Sequence, residues 1–139
     1  MRAAALLAPL LLFAALGLSA CDTAEERAEA HYQRAMTLLA AGDEDRAMVE
    51  FRNVFRLNGE HAAARLAYAG ELRRQGNVRE AYGQYLRLAE QDPKNLDGRR
   101  ALVALALQVQ DYASAAESVA EAYAIAPDDP EIRAFKAAI

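Results

Sequence analysis

The feature that most constrains this sequence is an internal repeat with a period of 34 residues. Blocks 28–61, 62–95 and 96–129 align without gaps, and residues 130–139 begin a further block. Small residues recur at the eighth and twentieth positions of the block, as Ala35, Ala69 and Val103 and as Ala47, Ala81 and Ala115. A fixed period of this length indicates stacked supersecondary units, because one unit cannot bury its apolar face alone.

Each block is predicted to form two antiparallel helices. In block 62–95, apolar or small residues recur at spacings of three and four on both sides of a break at Gly76 and Asn77. Gly76 suits the left-handed position that ends a helix, and Asn77 suits the cap that starts the next one. So short a connection brings the helices back alongside each other. Ala69 and Ala81 are expected at their closest approach, because small side chains let two backbones come together.

In these features the chain resembles the tetratricopeptide repeat (TPR) family, whose 34-residue helix-turn-helix has small residues at its eighth and twentieth positions and Pro at its thirty-second. Pro93 and Pro127 match that last position. The resemblance implies an all-α TPR solenoid of three repeats over these blocks, with residues 130–139 as a C-terminal capping helix or partial fourth repeat. The departures from the family pattern are Gly59 in place of Pro, Gln110 in place of the turn glycine, and His31, Arg65 and Arg99 in place of the fourth-position Trp.

Both ends of the helical region carry local sequence patterns of their own. Thr23 and Glu26 fit a capping box at the start of a first helix that runs to about Ala40. Asp129 fits an N-cap, with Pro130 at the first position of a final helix. The apolar residues on one face of that final helix are expected to cover the open end of the stack. They are Ile132, Phe135 and Ile139.

Residues 1–20 are predicted to form a signal peptide. Arg2 is followed by an uncharged, apolar run from Ala3 to Gly17, and small residues precede Cys21. This layout is typical of exported proteins. The alternative is an uncleaved transmembrane anchor, because about 18 to 20 apolar residues can span a bilayer.

The segment Leu18-Ser19-Ala20-Cys21 resembles the lipobox of bacterial lipoproteins. The resemblance implies that the Cys21 thiol receives a diacylglyceryl group, that the chain is cut before Cys21, and that the new amino terminus is acylated. Residues 21–27 would then join the lipid to the repeats almost without a linker. Two or more acyl chains anchor a protein stably, where one does not. The alternative for a lone cysteine is a buried core thiol.

The lipobox resemblance implies a protein that is lipid-anchored in a bacterial envelope and faces the periplasm. Asp22 resembles the inner-membrane retention signal of enterobacterial lipoproteins, which favours the inner membrane. The outer membrane remains an alternative location, because that rule does not hold in all bacteria. Asp22 also fits a second interpretation, in which it simply begins a helix together with Thr23.

Several classes of function are disfavoured by the sequence. The net charge of −4 argues against a nucleic-acid partner. The two histidines, His31 and His61, lie in different predicted elements, and the chain has no metal-ligand spacing, Gly-rich phosphate loop or nucleophile motif. We therefore predict no enzymatic activity, no metal, no cofactor and no small-molecule substrate.

Binding through the repeat array is the predicted activity. In TPR proteins the first helix of each repeat lines a concave groove, and the resemblance implies a protein or peptide ligand there. The predicted groove residues are Tyr32, Met36, Leu39, Leu66, Gly70, Arg73, Arg74 and Arg100, with Asp97, Ala101, Ala104, Leu107 and Gln108 at further groove positions of the third block. The groove would be apolar in the first repeat and basic further on.

The groove residues have alternative interpretations. Tyr32, Met36 and Leu39 recur at helical spacing and could be core residues. Arg73 and Arg74 end a helix, where cations interact favourably with the helix dipole without any ligand. The family's clamp for a partner's terminal carboxylate uses Lys at the fifth position and Asn at the ninth, and this sequence has neither in its first two blocks.

The sequence thus predicts a membrane-anchored periplasmic TPR adaptor. It is similar to the TPR lipoproteins that serve pilus biogenesis, outer-membrane protein assembly and exopolysaccharide export. One alternative is a structural subunit that associates with itself through the apolar final helix. Another is the N-terminal fragment of a longer TPR lipoprotein.

Overall fold

The computed structural model describes residues 23–139, so the predicted signal peptide, Cys21 and Asp22 lie outside the described residues. The described part contains seven α-helices and no strand. The helices are α1 (Ala24–Ala40), α2 (Glu44–Leu57), α3 (Ala62–Arg74), α4 (Val78–Gln91), α5 (Leu96–Gln108), α6 (Tyr112–Ile125) and α7 (Pro130–Ala138). They pack as the pairs α1 with α2, α3 with α4 and α5 with α6, and α7 packs against α6 and α5. Three helix-turn-helix repeats followed by a short helix are confirmed.

The predicted helix caps are largely present. Thr23 and Glu26 make both hydrogen bonds of the capping box at the start of α1. Asp129 caps α7 by accepting from two backbone amides, and Pro130 occupies the first helical position. Asn77 lies at the N-cap of α4 as predicted, but its side chain makes no capping hydrogen bond.

The turns inside the three repeats share one geometry. Gly42 and Gly76 adopt left-handed φ angles of 76° and 79°, and Gln110 adopts a φ of 61° at the equivalent place. In each turn the following amide bonds back to a carbonyl of the preceding helix, as Asp43 to Leu38, Asn77 to Leu72 and Asp111 to Ala106. Within residues 23–139, Gln110 is the one residue other than glycine with a positive φ.

Gln110→Gly is expected to raise the free energy of unfolding by about 1 kcal/mol. A Cβ makes the left-handed conformation less favourable by roughly 1–2 kcal/mol, and the entropic cost of glycine offsets part of the gain. Urea denaturation measures the difference. The matched control is Gly76→Gln, which should have the opposite effect through the backbone alone, because nothing lies within 4 Å of a Cβ there. Unchanged stability in both variants would contradict this account.

The core runs along the stack where the paired helices meet. Ala69 of α3 and Ala81 of α4 are completely buried, as predicted for the closest approach of the pair. Larger side chains fill the space between successive pairs. Phe51 of α2 packs edge-on against Tyr68 of α3, with ring centroids 5.9 Å apart. The small and large positions therefore build one continuous core that extends from Ala28 of α1 to Leu105 of α5.

The final helix covers the stack in a different way from the one predicted. Ile132 is completely buried and Phe135 is half-buried, but Ile139 is 46% exposed. The prediction is wrong for Ile139, because α7 ends at Ala138 and the last residue does not continue along the buried face.

The repeat position that holds Trp in the family holds a buried arginine in the second repeat. Arg65 is 5% exposed, and it donates hydrogen bonds to the backbone carbonyl of Gly59 and to the side-chain oxygens of Gln84 and Gln91, at 2.6 and 2.7 Å for the two amides. Its guanidinium also lies 4.8 Å from the ring centroid of Phe55 in α2. Arg65 therefore joins the second repeat to the end of the first.

The third repeat has an equivalent buried arginine that donates to a backbone carbonyl. Arg99 is 7% exposed, donates a 2.7 Å hydrogen bond to the carbonyl of Pro93 and forms an ion pair with Glu121. Pro93 holds the same place in the second repeat as Gly59 holds in the first. At both junctions between repeats, a buried arginine therefore donates a hydrogen bond to the backbone carbonyl. A Trp at the same position has a single N–H and could not replace the full set of arginine donors.

Arg65→Met is expected to lower the free energy of unfolding by about 2 to 3 kcal/mol. Hydrogen bonds from a charged donor contribute roughly 1.5–3 kcal/mol, and the Gly59 carbonyl would lose the bond from Arg65 while it keeps the 3.0 Å bond from Gln91 Nε2. The matched control is Arg79→Met, because Arg79 is exposed and makes no side-chain hydrogen bond or ion pair among residues 23–139. Urea denaturation should separate the two variants clearly, and equal midpoints would show that the junction does not depend on Arg65.

Candidate functional site: a cleft between the second and third repeats

A cleft of about 400 Å³ opens between α3 and α5, the first helices of the second and third repeats. Four of the predicted groove residues line it, and so do three of the five further residues predicted for the third block, whereas Leu107 and Gln108 do not. The lining residues are Leu66, Gly70 and Arg73 of α3, Tyr85 of α4, Asp97, Arg100, Ala101 and Ala104 of α5, and Glu131 of α7. The first helices of the repeats therefore supply most of this surface, as the groove hypothesis requires.

Gly70 leaves an opening in the α3 side of the cleft. A Cβ at this position would lie 3.7 Å from the hydroxyl oxygen of Tyr85. Tyr85 belongs to α4, the second helix of the repeat, and its ring is 2% exposed. The absence of a side chain at Gly70 is what allows a group on the second helix to reach the cleft.

Arg100 does not present a free charge in the cleft. It pairs with Asp129, its Nη1 lies 2.8 Å from the Asp97 carboxylate, and its Nε lies 3.5 Å from Glu131. The hydrogen bond to Asp129 and the surrounding negative charges raise the pKa of Arg100 above its ordinary value. The expectation of a basic groove in this region is therefore wrong at Arg100, because α7 brings carboxylates that a single repeat does not contain.

Neighbouring Arg73 and Arg74 have different surroundings. Arg74 pairs with Glu44 of α2 and donates bonds of 3.0 and 2.8 Å to Glu71, which raises the pKa of Arg74 and lowers that of Glu71. The structure thus places Arg74 in a link between α2 and α3 and not in the cleft. Arg73 lines the cleft, is exposed, and makes no side-chain hydrogen bond or ion pair with any residue in the described range.

The predicted groove residues of the first repeat are not part of the cleft. The ring of Tyr32 packs against His61, with centroids 5.0 Å apart, and both Tyr32 and Leu39 lie half-buried against the core. For these two residues the core interpretation therefore holds. Met36 differs, because it is 38% exposed on α1.

Both histidines take part in structural contacts. His31 Nδ1 lies 2.5 Å from the carboxylate of Glu50, and this hydrogen bond lowers the pKa of Glu50. His61 caps α3 by accepting from the amide of Ala64 through Nδ1, and its Nε2 lies 3.1 Å from Glu29. Because Nδ1 of His61 accepts, Nε2 carries the proton and donates to Glu29.

Metal-binding clusters and membrane-spanning helices are both absent from residues 23–139. No cluster of three or more His, Cys, Asp or Glu side chains is arranged to hold a metal ion in this part of the chain. No helix in the same range combines the length and apolar character needed to cross a bilayer.

Tyr85 and Glu131 line the cleft, although neither is among the predicted groove residues. Tyr85 lies on the second helix of its repeat, whereas all of the predicted groove positions are on first helices. Gly70 was the one sequence feature that pointed to Tyr85, because a glycine on the first helix leaves the side chains of the second helix uncovered at that place. Glu131 lies beyond the third full block, where the repeat pattern gives little guidance.

Asp129 is expected to make stability depend on pH in the acid range. The hydrogen bond from Arg100 is the largest cause that lowers the pKa of Asp129, and backbone amides at the start of α7 add to it. A lowered pKa contributes stability that is present above the unfolded-state value of about 4 and is lost as pH falls through the folded-state value. The stability advantage over Asp129→Asn should therefore shrink as the pH falls below about 4. Thermal unfolding of both proteins measures this, and a constant difference would contradict it.

Comparison with known proteins bears on the fold. No protein-family model matches the chain, and a search of curated proteins found no match either. Among solved structures, the Arabidopsis OM64 TPR domain is 15% identical with a TM-score of 0.71, and the match covers 83% of this chain and 95% of that one. YrrB, a TPR protein with an unusual peptide-binding site, is 22% identical with a TM-score of 0.68, over 81% of this chain and 58% of that one.

A third solved structure with the same architecture comes from Yersinia enterocolitica. The type III secretion chaperone SycD, in complex with a peptide of the translocator YopD, is 19% identical with a TM-score of 0.65. The match covers 79% of this chain and 84% of that one. The described residues therefore form an all-α TPR solenoid.

Proposed function

We propose that this protein is a non-catalytic adaptor that binds a protein or peptide partner through the groove of its TPR array. The observation that carries the proposal is the cleft between α3 and α5, which collects Leu66, Gly70, Arg73 and Arg100 from separate repeats. Its lining combines apolar walls with a few polar groups, as binding sites usually do. The peptide complex of SycD and the peptide-binding site of YrrB support a peptide partner for this fold.

The adaptor is held at a bacterial envelope membrane by lipid on Cys21 and faces the periplasm. The lipobox-like segment Leu18-Ser19-Ala20-Cys21 and the signal-like residues 1–20 support this proposal. Thr23 caps α1, so only Asp22 separates the cysteine from the cap, and the repeats would lie close to the bilayer. Asp22 favours the inner membrane over the outer membrane.

Recruiting or ordering components of an envelope assembly is the role that fits a lipid-anchored TPR array. Pilus biogenesis, outer-membrane protein assembly and exopolysaccharide export are the candidate processes. The repeat fold supplies a scaffold, and the chemistry of its cleft selects the partner.

In-cell photo-crosslinking tests the adaptor proposal. A photoreactive amino acid is placed at Met36 or at Asp97, which are both exposed on first helices, and at Val49 as a control on the outer surface of α2. We expect the same envelope protein to be captured from the first two positions and not from Val49. Capture from Val49 alone, or no capture from any position, would overturn the proposal.

Self-association is the second candidate, because Ile125 and Ile139 are 40% and 46% exposed near the end of the stack. In that case the crosslinks would join two copies of this chain. Deletion of residues 130–139 would then reduce the mass measured by sedimentation, whereas the adaptor proposal expects a monomer with and without them.

A further inference from the structure

The Tyr85 side chain is buried, but its hydroxyl oxygen opens into the cleft. Tyr85 is 2% exposed, and its hydroxyl faces the cleft beside Gly70. No group within residues 23–139 forms a hydrogen bond with it. By contrast, the hydroxyl of Tyr68 on α3 lies 3.1 Å from Glu80 and donates to it. The Tyr85 hydroxyl is therefore available to donate to a group that enters the cleft.

A hydroxyl on a second helix that opens into the groove in this way is confined to the middle repeat. It requires both a missing side chain on the first helix and a hydroxyl behind it on the second helix. The two positions hold Gly70 and Tyr85 in the second repeat, Met36 and Phe51 in the first, and Ala104 and Val119 in the third. The other two repeats therefore have no polar atom that could reach the groove from the second helix.

Arg73 supplies an unpaired positive charge on the same side of the cleft. It lies three residues after Gly70 on α3, hence on the same helix face, and it also lines the cleft. Its charge acts on Tyr85, since it lowers the pKa of that hydroxyl while burial raises it by more. The hydroxyl of Tyr85 therefore keeps its proton at neutral pH and can donate it in a hydrogen bond.

The opposite end of the cleft has no spare positive charge. Arg100 is compensated there by Asp97, Asp129 and Glu131. Arg100 Nε makes no hydrogen bond, but it lies 3.5 Å from the Glu131 carboxylate. The uncompensated positive charge of the cleft therefore lies at the Arg73–Tyr85 corner, defined by the Arg73 guanidinium, the Tyr85 hydroxyl and the open position at Gly70.

We propose that the Arg73–Tyr85 corner binds a carboxylate of the partner. The guanidinium forms the ion pair, the hydroxyl donates to the same carboxylate, and Gly70 leaves room for it between them. An apolar group next to the carboxylate packs against Leu66 and Ala101. The proposal rests on the proposed function of the groove and names the chemistry that it selects. One of the two donors comes from the second helix of a repeat, so the site differs from the family's clamp of Lys and Asn on first helices.

Titration of the ¹⁵N-labelled protein with three acetylated dipeptides tests the site. N-acetyl-leucyl-glutamate amide carries a side-chain carboxylate, N-acetyl-leucyl-glutamine carries a terminal one, and N-acetyl-leucyl-glutamine amide carries neither. We expect the first two to shift the amide signals of Gly70, Ala101 and Ala104 and the third to leave them unchanged. The dipeptide that shifts them at the lower concentration identifies the source of the carboxylate.

Substitutions provide the second arm of this experiment. Tyr85→Phe should weaken binding about tenfold, as expected for one hydrogen bond to a charged group, and should leave the unfolding midpoint unchanged because that hydroxyl has no partner in the fold. Arg73→Gln should abolish the shifts. The matched controls are Tyr68→Phe and Arg74→Gln, which remove the same groups outside the cleft and should bind normally.

Three results would overturn the proposal. They are equal binding of the uncharged dipeptide, the absence of shifts with all three dipeptides, and normal binding by Tyr85→Phe. The outcome can be separated from that of the adaptor proposal. If crosslinks from Met36 and Asp97 capture a partner while the dipeptides fail, the carboxylate site is wrong and the adaptor stands.

Discussion

Cys21→Ala is expected to abolish palmitate incorporation completely. The thioether that we propose forms on a thiolate, and this residue carries the only thiol of the chain. The consequence for anchoring is large, because each buried methylene contributes roughly 0.8 kcal/mol and only two or more acyl chains hold a protein stably. Metabolic labelling with palmitate, followed by mass spectrometry of the N-terminal peptide, measures both the lipid and the cleavage site.

Ser19→Ala is the matched control for this prediction. It keeps the thiol and a small residue in the same segment, so labelling and cleavage before Cys21 should be unchanged. A Cys21→Ala protein that is still cut at the same place and still membrane-bound would refute lipidation. An unlabelled parent protein that retains residues 1–20 would instead favour the uncleaved transmembrane anchor.

Leu88→Ala is expected to lower the free energy of unfolding by about 2 to 5 kcal/mol, the range for large-to-small changes in a packed core. Leu88 is completely buried at the boundary between the second and third repeats. A Cβ built on Gly98 of α5 would lie only 2.7 Å from its Cδ2 atom. The leucine methyl groups therefore fill the hollow that Gly98 leaves, and alanine would leave a cavity that α5 has no side chain to fill.

Leu86→Ala is the matched control, with the same substitution two residues away on the same helix. Leu86 is 41% exposed, so we expect a loss below about 1 kcal/mol. Urea denaturation of both variants gives the comparison, and similar losses would show that the junction between repeats is not tightly packed. Because each repeat is stabilised mainly by its neighbours, Leu88→Ala is also expected to weaken the coupling of the third repeat to the second.

The junctions between repeats show why the sequence could not give every contact. The pattern marked Arg65 and Arg99 as departures from the family, yet it gave no indication that both are buried. Their position on the packed face of a helix suggested an apolar side chain. Burial of a guanidinium is tolerated here because backbone carbonyls at the ends of the preceding repeats accept its hydrogen bonds. Such acceptors become visible only when successive repeats are stacked.

The candidate site could also be predicted only in part from the sequence. The family's groove positions led to Leu66, Gly70, Arg73 and Arg100, and the structure brings all four to one cleft. The same positions also led to Arg74, which pairs with α2 instead. A position within a repeat fixes the face of the helix only approximately, and near the end of a helix a long side chain can turn toward either neighbour.

The sequence by itself determined the repeats, their helices and turns, and their small-residue contacts. These features depend on interactions between residues within about one or two helical turns, so local spacing is enough to specify them. The tertiary structure alone decided that Asp129 and Glu131 compensate Arg100, and that Gly70 uncovers the hydroxyl of Tyr85 while Arg73 stays unpaired. These groups come from different helices, and their distances depend on how the repeats stack, which no spacing within one repeat encodes.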